Sequence, residues 1–310
     1  MSATLSSSSL LVGVSNELAD AVERAGAGVV TVDARRRHPA TGIVWTTDGL
    51  IATANHVVER DEEIEIGLPD GRTAEAALIG RDPGSDLAVL RVEASDLTPL
   101  DRSEGEPRVG HLALAIGRPG PSGPMASLGA ITAIGGPLRF RGGGSLERYV
   151  RADVAMLPGF SGGPLVDSAG RLIGLNSSTL GRAGQLTVLA ESIDAALATL
   201  LQHGRVRRGY LGVGAQGVQL PDALARALDN GQEQGLLIVS VESGGPADAA
   251  GLMLGDVILA IDGEAVGQVE QLQERLTGDR VGKSVPVRIA RGGEPREIGV
   301  TIGERQRQAE

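Results

Sequence analysis

Short apolar segments alternate with turn-forming sequences over most of the first two thirds of the chain. From about residue 28 to residue 190 these segments consist mainly of Val, Ile, Leu and Ala, and motifs such as TDG at 47–49 and PDG at 69–71 separate them. Many short strands divided by turns are typical of all-β barrels and sandwiches. This part of the chain is therefore predicted to be mostly β.

An amphipathic helix is predicted before the β-rich part. Over residues 15–25, Leu18 and Val22 lie one helical turn apart. The side chain of Ser15 or Asn16 can accept a hydrogen bond from a free amide of the first turn. We therefore expect the helix to begin at one of these two residues.

Helical spacing returns after the β-rich part, and a mixed region follows it. Residues 191–203 place several apolar side chains on one helical face. Further along, apolar strands are predicted at 236–241 and 257–261, and helices near 221–229 and 268–277. These elements predict a second domain of α+β type.

The length of the chain agrees with two domains. A chain of 310 residues is about twice the length of an average domain. The predicted organisation comprises an N-terminal segment and helix at 1–27, a β-rich domain at 28–203, a linker at 204–208, an α+β domain at 209–303 and a tail at 304–310.

Composition argues against several classes of function. Five aromatic residues are too few for platforms that stack bases or sugars. The net charge is −10 and both halves are acidic, so no binding to nucleic acid or to an anionic membrane is expected. The chain has no cysteine and only four scattered histidines, so neither a metal nor an organic cofactor is expected.

The N-terminal sequence lacks the pattern of an export signal or a membrane anchor. The longest apolar runs are far shorter than the roughly 20 residues that cross a bilayer. Residues 1–14 also lack the basic start of a signal peptide. As written, the chain is expected in the cytoplasm, or in the periplasm or another extracytoplasmic space if a leader was removed.

Two separate motifs offer candidates for proton transfer. His56 lies in ATANHVV at 52–58, after an apolar strand whose end can present the imidazole to a cleft. Taken alone, a histidine in this position is more often structural. Asp86 opens the apolar run of SDLAVL at 85–90. Burial of its carboxylate requires a donor such as an imidazole N–H. The alternative is that Asp82 or Asp86 only caps the turn in DPGS.

Ser161 lies in the most specific motif of the chain, LPGFSGGPLVD at 157–167. A serine between glycines can sit on a tight turn where the amides of Gly159 and Ser161 point to one spot and hold an oxyanion. A plain Gly-Pro turn is the alternative. Together, His56, Asp86 and Ser161 follow the order of catalytic residues in chymotrypsin-type proteases, on a β-rich chain.

The chain resembles the HtrA/DegP-type serine proteases, in which a two-barrel trypsin-like domain is followed by a PDZ domain. The resemblance implies a mostly β fold with two chymotrypsin-like barrels and an α+β PDZ domain. The motifs that carry it are the three above, AIGRPG at 115–120, GRLIGLNSS at 170–178, RGYLGV at 208–213 and SGGPADAAGLMLGDVILAIDG at 243–263.

The resemblance implies an endopeptidase that forms an acyl-enzyme. Ser161 would be the nucleophile, His56 the general base and then acid, and Asp86 the residue that orients His56. The amides of Gly159, Phe160 and Ser161 would form the oxyanion hole. The resemblance also implies assembly into trimers or higher oligomers.

Substrates and peptide ligands follow from the same resemblance. Unfolded or damaged proteins are the implied substrates. A small and mostly apolar pocket, lined by Ala155, Met156 and Leu157 with Asn176 to Ser178, favours Val, Ala or Leu before the cleaved bond. The PDZ domain implies binding of peptide C-termini. Amides of its loop, formed by Tyr210, Leu211, Gly212 and Val213, would hold the terminal carboxylate, and the adjoining strand edge would pair with the peptide.

One residue departs from the family pattern, because Phe160 stands where the family usually has Asn. The ring is expected either to pack beneath the turn and hold it, or to favour a flipped peptide that leaves the oxyanion hole unformed. The second case corresponds to an alternative function, a catalytically weak or inactive scaffold that binds peptides as a sensor or chaperone. Retention of all three triad residues favours the protease.

Overall fold

The computed structural model describes residues 7–36, 38–139, 145–180, 185–203, 209–228, 231–276 and 280–304. The predicted linker at 204–208 and most of the predicted tail, residues 305–310, lie outside the described residues. Contacts divide the chain into two compact units, residues 1–206 and 207–310.

The first unit begins with a helix and a closed antiparallel barrel. The barrel strands are connected in the order β1-β2-β3-β6-β5-β4. Strands β2 and β3 are buried along their whole length, as their apolar sequences predict. The elements are α1 (Ser7–Gly26), β1 (Val29–Asp33), β2 (Ala40–Val44), β3 (Leu50–Ala54), a 3₁₀ turn (Asn55–Val57), β4 (Ile64–Gly67), β5 (Thr73–Asp82) and β6 (Leu87–Val92).

A second closed barrel follows in the same unit, with strand order β11-β14-β13-β12-β7-β8. The two barrels confirm the predicted mostly β fold class. The elements are β7 (Leu112–Gly117), β8 (Met125–Gly135), β9 (Leu138–Arg139), β10 (Ser145–Leu146), β11 (Tyr149–Ala152), β12 (Pro164–Asp167), β13 (Leu172–Ser177), β14 (Leu186–Leu189) and α2 (Ala190–His203).

Helix α1 is longer than its sequence pattern predicts. It begins at Ser7, so the prediction that Ser15 or Asn16 starts the helix is wrong. No proline interrupts residues 7–14, so the helix extends to Ser7 on its N-terminal side, where Leu10 and Leu11 are exposed to solvent. The C-terminal half packs against the second barrel, and the buried side chain of Arg118 donates a hydrogen bond of 3.0 Å from Nη2 to the Gly26 carbonyl oxygen.

The second unit contains an antiparallel sheet with short helices. Its main strands lie in the order β16-β17-β18-β20-β21, which puts β16 at an edge of the sheet within the described residues. The elements are β15 (Gly209–Tyr210), β16 (Val213–Gln219), α3 (Asp222–Ala227), β17 (Gln234–Val241), α4 (Pro246–Ala249), β18 (Val257–Ile261), β19 (Glu264–Ala265), α5 (Val269–Arg275), β20 (Ser284–Arg291), β21 (Glu294–Thr301) and β22 (Gly303–Glu304).

Candidate active site

The fold brings the predicted histidine and aspartate together at one end of the first barrel. His56 lies in the 3₁₀ turn after β3, and Asp86 directly precedes β6. These two strands are neighbours, and the Asn55 N–H donates to the Asp86 carbonyl oxygen at 2.9 Å. Asp86 has a φ of 54°, a left-handed conformation that Asp adopts more readily than most residues. The pairing of β3 with β6 therefore brings His56 and Asp86 together.

The carboxylate of Asp86 holds His56 through two hydrogen bonds. Oδ2 lies 2.7 Å from Nδ1 of the ring, and Oδ1 accepts the backbone N–H of His56 at 2.9 Å. The alternative interpretation, in which Asp86 only caps the DPGS turn, does not describe its contacts. Asp82 caps it instead, accepting the N–H of Gly84 at 3.0 Å and the hydroxyl of Ser85 at 2.6 Å.

Asp86 is buried, and two further hydroxyls stabilise it. Oδ2 accepts hydrogen bonds from Ser177 at 2.5 Å and from Thr179 at 3.0 Å. Burial opposes ionisation, but the hydrogen bonds from His56 and Ser177 and the attraction of the imidazole outweigh it, so the pKa of Asp86 lies below its ordinary value. Asp86 is therefore ionised at neutral pH.

Ser161 lies on a tight turn whose central peptide is fixed from both sides. The Gly159 carbonyl oxygen accepts the hydroxyl of Thr41 at 2.6 Å, and the next N–H, that of Phe160, donates to the Leu157 carbonyl oxygen at 3.0 Å. Gly159 has a φ of 88°, which glycine adopts without strain. The turn is thus anchored to the first barrel through Thr41.

The N–H groups of Gly159 and Ser161 make no hydrogen bond to any residue that the structure describes. Gly162 follows them at a φ of 85°, and a Cβ there would come within 2.2 Å of the Thr41 carbonyl oxygen, so only glycine fits. Two unpaired amides on one turn are the arrangement that can hold an oxyanion.

The ring of Phe160 also supports the turn. The side chain is fully buried in the core of the second barrel, with Ala113, Ala115 and Ile131. This is the first of the two expected arrangements, with the ring beneath the turn. Since its N–H already donates to Leu157, the prediction that the Phe160 amide joins the oxyanion hole is not supported.

The hydroxyl of Ser161 points to a second serine. Its Oγ donates to Ser178 Oγ at 2.8 Å, and Ser178 Oγ lies 3.5 Å from His56 Nε2. Ser178 therefore lies between the predicted nucleophile and the predicted base. Sequence reasoning assigned Ser178 only to the pocket wall and overlooked the contacts of Ser177 and Thr179 with Asp86. The run of three hydroxyl residues at the end of β13 was the available signal.

Ser161, Ser178 and His56 line one cleft. Met156 and Leu157, predicted to line the primary pocket, border it with Ser161 and His56. Two residues with no predicted role also border it, Arg35 and His38. The lining residues are Arg35, His38, His56, Met156, Leu157, Pro158, Gly159, Ser161 and Ser178.

The predicted peptide-binding loop of the second unit runs from β15 to the edge strand β16. Gly212 has a φ of 77°, and its carbonyl oxygen accepts the Glu242 N–H at 2.8 Å. Leu211 is buried in the core of this unit, and Tyr210 and Val213 are half-buried on either side. Helix α5 packs beside β16. The loop therefore ends at a sheet edge beside a helix.

Comparisons with known proteins agree with this architecture. Residues 40–175 match the family model of the trypsin-like peptidase domain, and residues 209–302 match that of the PDZ domain. The solved structure of the HtrA-type protease AlgW with tripeptide is 31% identical, with a TM-score of 0.72, over 94% of this chain and 98% of that one. This chain belongs to the HtrA family of serine proteases.

Other members show the same relationship. The solved structure of the serine endoprotease from Yersinia pestis has a TM-score of 0.75 at 28% identity. The match covers 93% of this chain and 98% of the Yersinia chain. Probable periplasmic serine endoproteases described as DegP-like, from Hahella chejuensis and Halomonas elongata, are 36% and 37% identical over 87% of this chain. The chain spans only 59% and 57% of the length of these two relatives. No described helix is long and apolar enough to cross a membrane.

Proposed function

We propose that this HtrA-family chain is a serine endopeptidase that hydrolyses unfolded or damaged proteins. The observation that carries the proposal is the 2.7 Å contact between His56 Nδ1 and Asp86 Oδ2 in the cleft that also contains Ser161. A buried carboxylate bound to Nδ1 fixes the imidazole so that Nε2 can accept a proton. In this proposal His56, Asp86 and Ser161 are the catalytic triad.

The reaction proceeds in two halves. Ser161 Oγ attacks the carbonyl carbon of the scissile bond while His56 Nε2 takes the hydroxyl proton, and the C–N bond then breaks as Nε2 gives that proton to the leaving amine. Water attacks the resulting ester with the same proton transfers and releases the acid and free Ser161. Asp86 stays ionised throughout and stabilises the imidazolium.

The oxyanion of each tetrahedral intermediate is bound by the amides of Gly159 and Ser161. Their lack of partners among the described residues supports this role, and the anchored peptide between Gly159 and Phe160 supports a hole that is formed before substrate binds. Preorganised donors of this kind usually contribute a large part of the rate enhancement.

Substrates enter as extended segments, because Ser161 and His56 line a cleft and the scissile bond must lie along it. The apolar wall at Met156 and Leu157 supports Val, Ala or Leu as the residue before the cleaved bond. In the second unit, the loop at 210–213 binds the C-terminus of a peptide that pairs with β16. That ligand delivers substrate or activates the protease.

Labelling by a fluorophosphonate probe tests the proposed function. We expect covalent modification at Ser161, located by intact mass and peptide mapping, and no modification in Ser161→Ala or His56→Ala. A peptide with a free hydrophobic C-terminus is expected to raise the labelling rate. Absence of labelling with and without that peptide would favour the scaffold that binds peptides without cleaving them.

Ser178→Ala is expected to label about fivefold faster than the parent chain. The hydrogen bond from Ser161 to Ser178 must break before the proton moves to His56, and a neutral hydrogen bond contributes about 1 kcal/mol. Ser103→Ala serves as the control, since that hydroxyl bonds Asp167 at 2.7 Å outside the cleft. A slower reaction in Ser178→Ala would show that Ser178 transmits the proton and would contradict this interpretation.

Compartment and assembly complete the proposal. The relatives described as periplasmic support a site of action outside the cytoplasm rather than the cytoplasmic alternative. A homotrimer remains a prediction that rests on family resemblance. Light scattering at micromolar concentration tests it, and a monomer would contradict it.

A further inference from the structure

A short basic segment stands out in an acidic chain. Residues 35–38 read RRRH, whereas the whole chain carries a net charge of −10. The segment connects β1 to β2, and the fold places two of its members, Arg35 and His38, on the wall of the cleft that contains Ser161 and His56. A cationic wall beside the proposed catalytic residues raises the local concentration of anionic groups.

The guanidinium of Arg35 has no carboxylate partner among the residues that the structure describes. Its Nε donates to the His38 carbonyl oxygen at 2.7 Å, which holds the turn, and it forms no ion pair with any carboxylate of the described residues. The nearby Asp33 pairs with Arg60 at 3.1 Å instead. Other arginines of the same unit, such as Arg72, have a carboxylate partner. Arg35 therefore remains free to bind a carboxylate of another molecule.

The position of the basic segment indicates which half of a substrate it meets. The leaving amine must take its proton from His56, so the residues after the cleaved bond start on the His56 side of the cleft. Arg35 and His38 lie between β1 and β2 of the first barrel, the barrel that also carries His56. Pro39, which follows them, lies against the turn of Ser161, because a Cβ on Gly159 would be 3.0 Å from the Pro39 carbonyl oxygen. In the proposed function the acyl half lies against Met156 and Leu157, which border the same cleft from the segment between β11 and β12.

We propose that Arg35 and His38 form a subsite for an acidic side chain of the substrate, one to three residues after the cleaved bond. The inference rests on the proposed peptidase function and names its substrate class, extended segments with Asp or Glu following the cut. Arg35 supplies the planar donor pair that matches a carboxylate, and His38 supplies a further N–H donor from its ring.

The test compares quenched-fluorescence peptides that share one cleavable core. Asp, Gln or Lys is placed singly at each of the three positions before and the three positions after the cleaved bond, and kcat/KM is measured at low salt. We expect Asp to exceed Gln by about threefold to fivefold at one or more positions after the bond, with Lys below Gln, as for a partly exposed ion pair. High salt should remove the difference.

Three variants locate the effect. Arg35→Ala is expected to reduce the Asp-to-Gln ratio to about one, and Arg35→Lys to retain part of it because the charge remains. Arg72→Ala, which removes the same charge from an exposed turn outside the cleft, should keep the full ratio.

Several outcomes would overturn the subsite while leaving the peptidase intact. These are cleavage of the Gln peptides with no preference for Asp, a preference confined to positions before the bond, or an unchanged ratio in Arg35→Ala. If no peptide is cleaved and Ser161 is not labelled, the proposed function itself fails, and the subsite fails with it.

Discussion

Ser161→Ala is expected to lower kcat/KM for an unstructured peptide by about 100,000-fold. The substitution removes the only hydroxyl placed on the turn with the two unpaired amides, so no acyl-enzyme can form. The residual rate comes from binding and from the oxyanion hole acting on water. Degradation of casein and cleavage of a quenched peptide, measured under single-turnover and steady-state conditions, give the ratio.

Ser85→Ala provides the matched control for this loss. It removes another buried hydroxyl, which bonds Asp82 at 2.6 Å and takes no part in the cleft. We expect a small loss of stability and little change in kcat/KM. Equal rates of casein degradation by the parent chain and Ser161→Ala would defeat the protease interpretation.

Asp86→Asn is expected to lower kcat about 10,000-fold while the fold is retained. Asparagine has nearly the same shape, but its amide can donate to Nδ1, which would leave the ring proton on Nε2, the atom that must accept one from Ser161. The loss of negative charge also removes the stabilisation of the imidazolium. Steady-state kinetics on the same peptides measure the change, and circular dichroism checks the fold.

Asp82→Asn separates catalysis from the stability of the same loop. Asp82 caps the turn that leads to Asp86, so its loss should lower the free energy of unfolding with little effect on kcat. A similar fall in kcat for both variants would mean that Asp86 acts only through the loop.

The lowered pKa of Asp86 gives a pH signature. A carboxyl whose pKa is lower in the folded than in the unfolded state stabilises the fold above its unfolded pKa, near the ordinary value of 3.8. That contribution is lost as pH falls through the lowered folded value. The difference in unfolding free energy between the parent chain and Asp86→Asn should therefore shrink as the pH falls below the ordinary carboxyl value of 3.8 and through the lowered pKa of Asp86.

Much of the barrel architecture could be predicted from sequence, because short apolar runs and turn motifs report strands directly. The same reasoning selected His56, Asp86 and Ser161 as candidates, since each lies at the end of a recognisable apolar segment or glycine turn. Helix α1 was predicted too short because Ser15 and Asn16 have the chemistry of a cap while lying inside a helix. Local sequence does not distinguish these two cases.

Other features of the site depend on contacts between distant segments. Thr179 reaches Asp86 and Arg35 reaches the cleft only through the packing of strands far apart in sequence. The family resemblance implied that the amide of Phe160 joins those of Gly159 and Ser161 in the oxyanion hole. Its hydrogen bond to Leu157 depends on the exact turn, which composition does not specify.

The buried ring of Phe160 connects the reactive turn to the folding of the second barrel. A Cβ at Gly117, on β7, would come within 2.4 Å of the ring. Phe160 therefore packs directly against the barrel wall while its backbone forms part of the turn with Ser161. The turn cannot change its backbone without moving an aromatic side chain through a close-packed interior. A substitution in that interior, at a residue that no substrate contacts, would therefore displace Ser161 through the ring of Phe160. The proposed activity would be lost before the fold is lost.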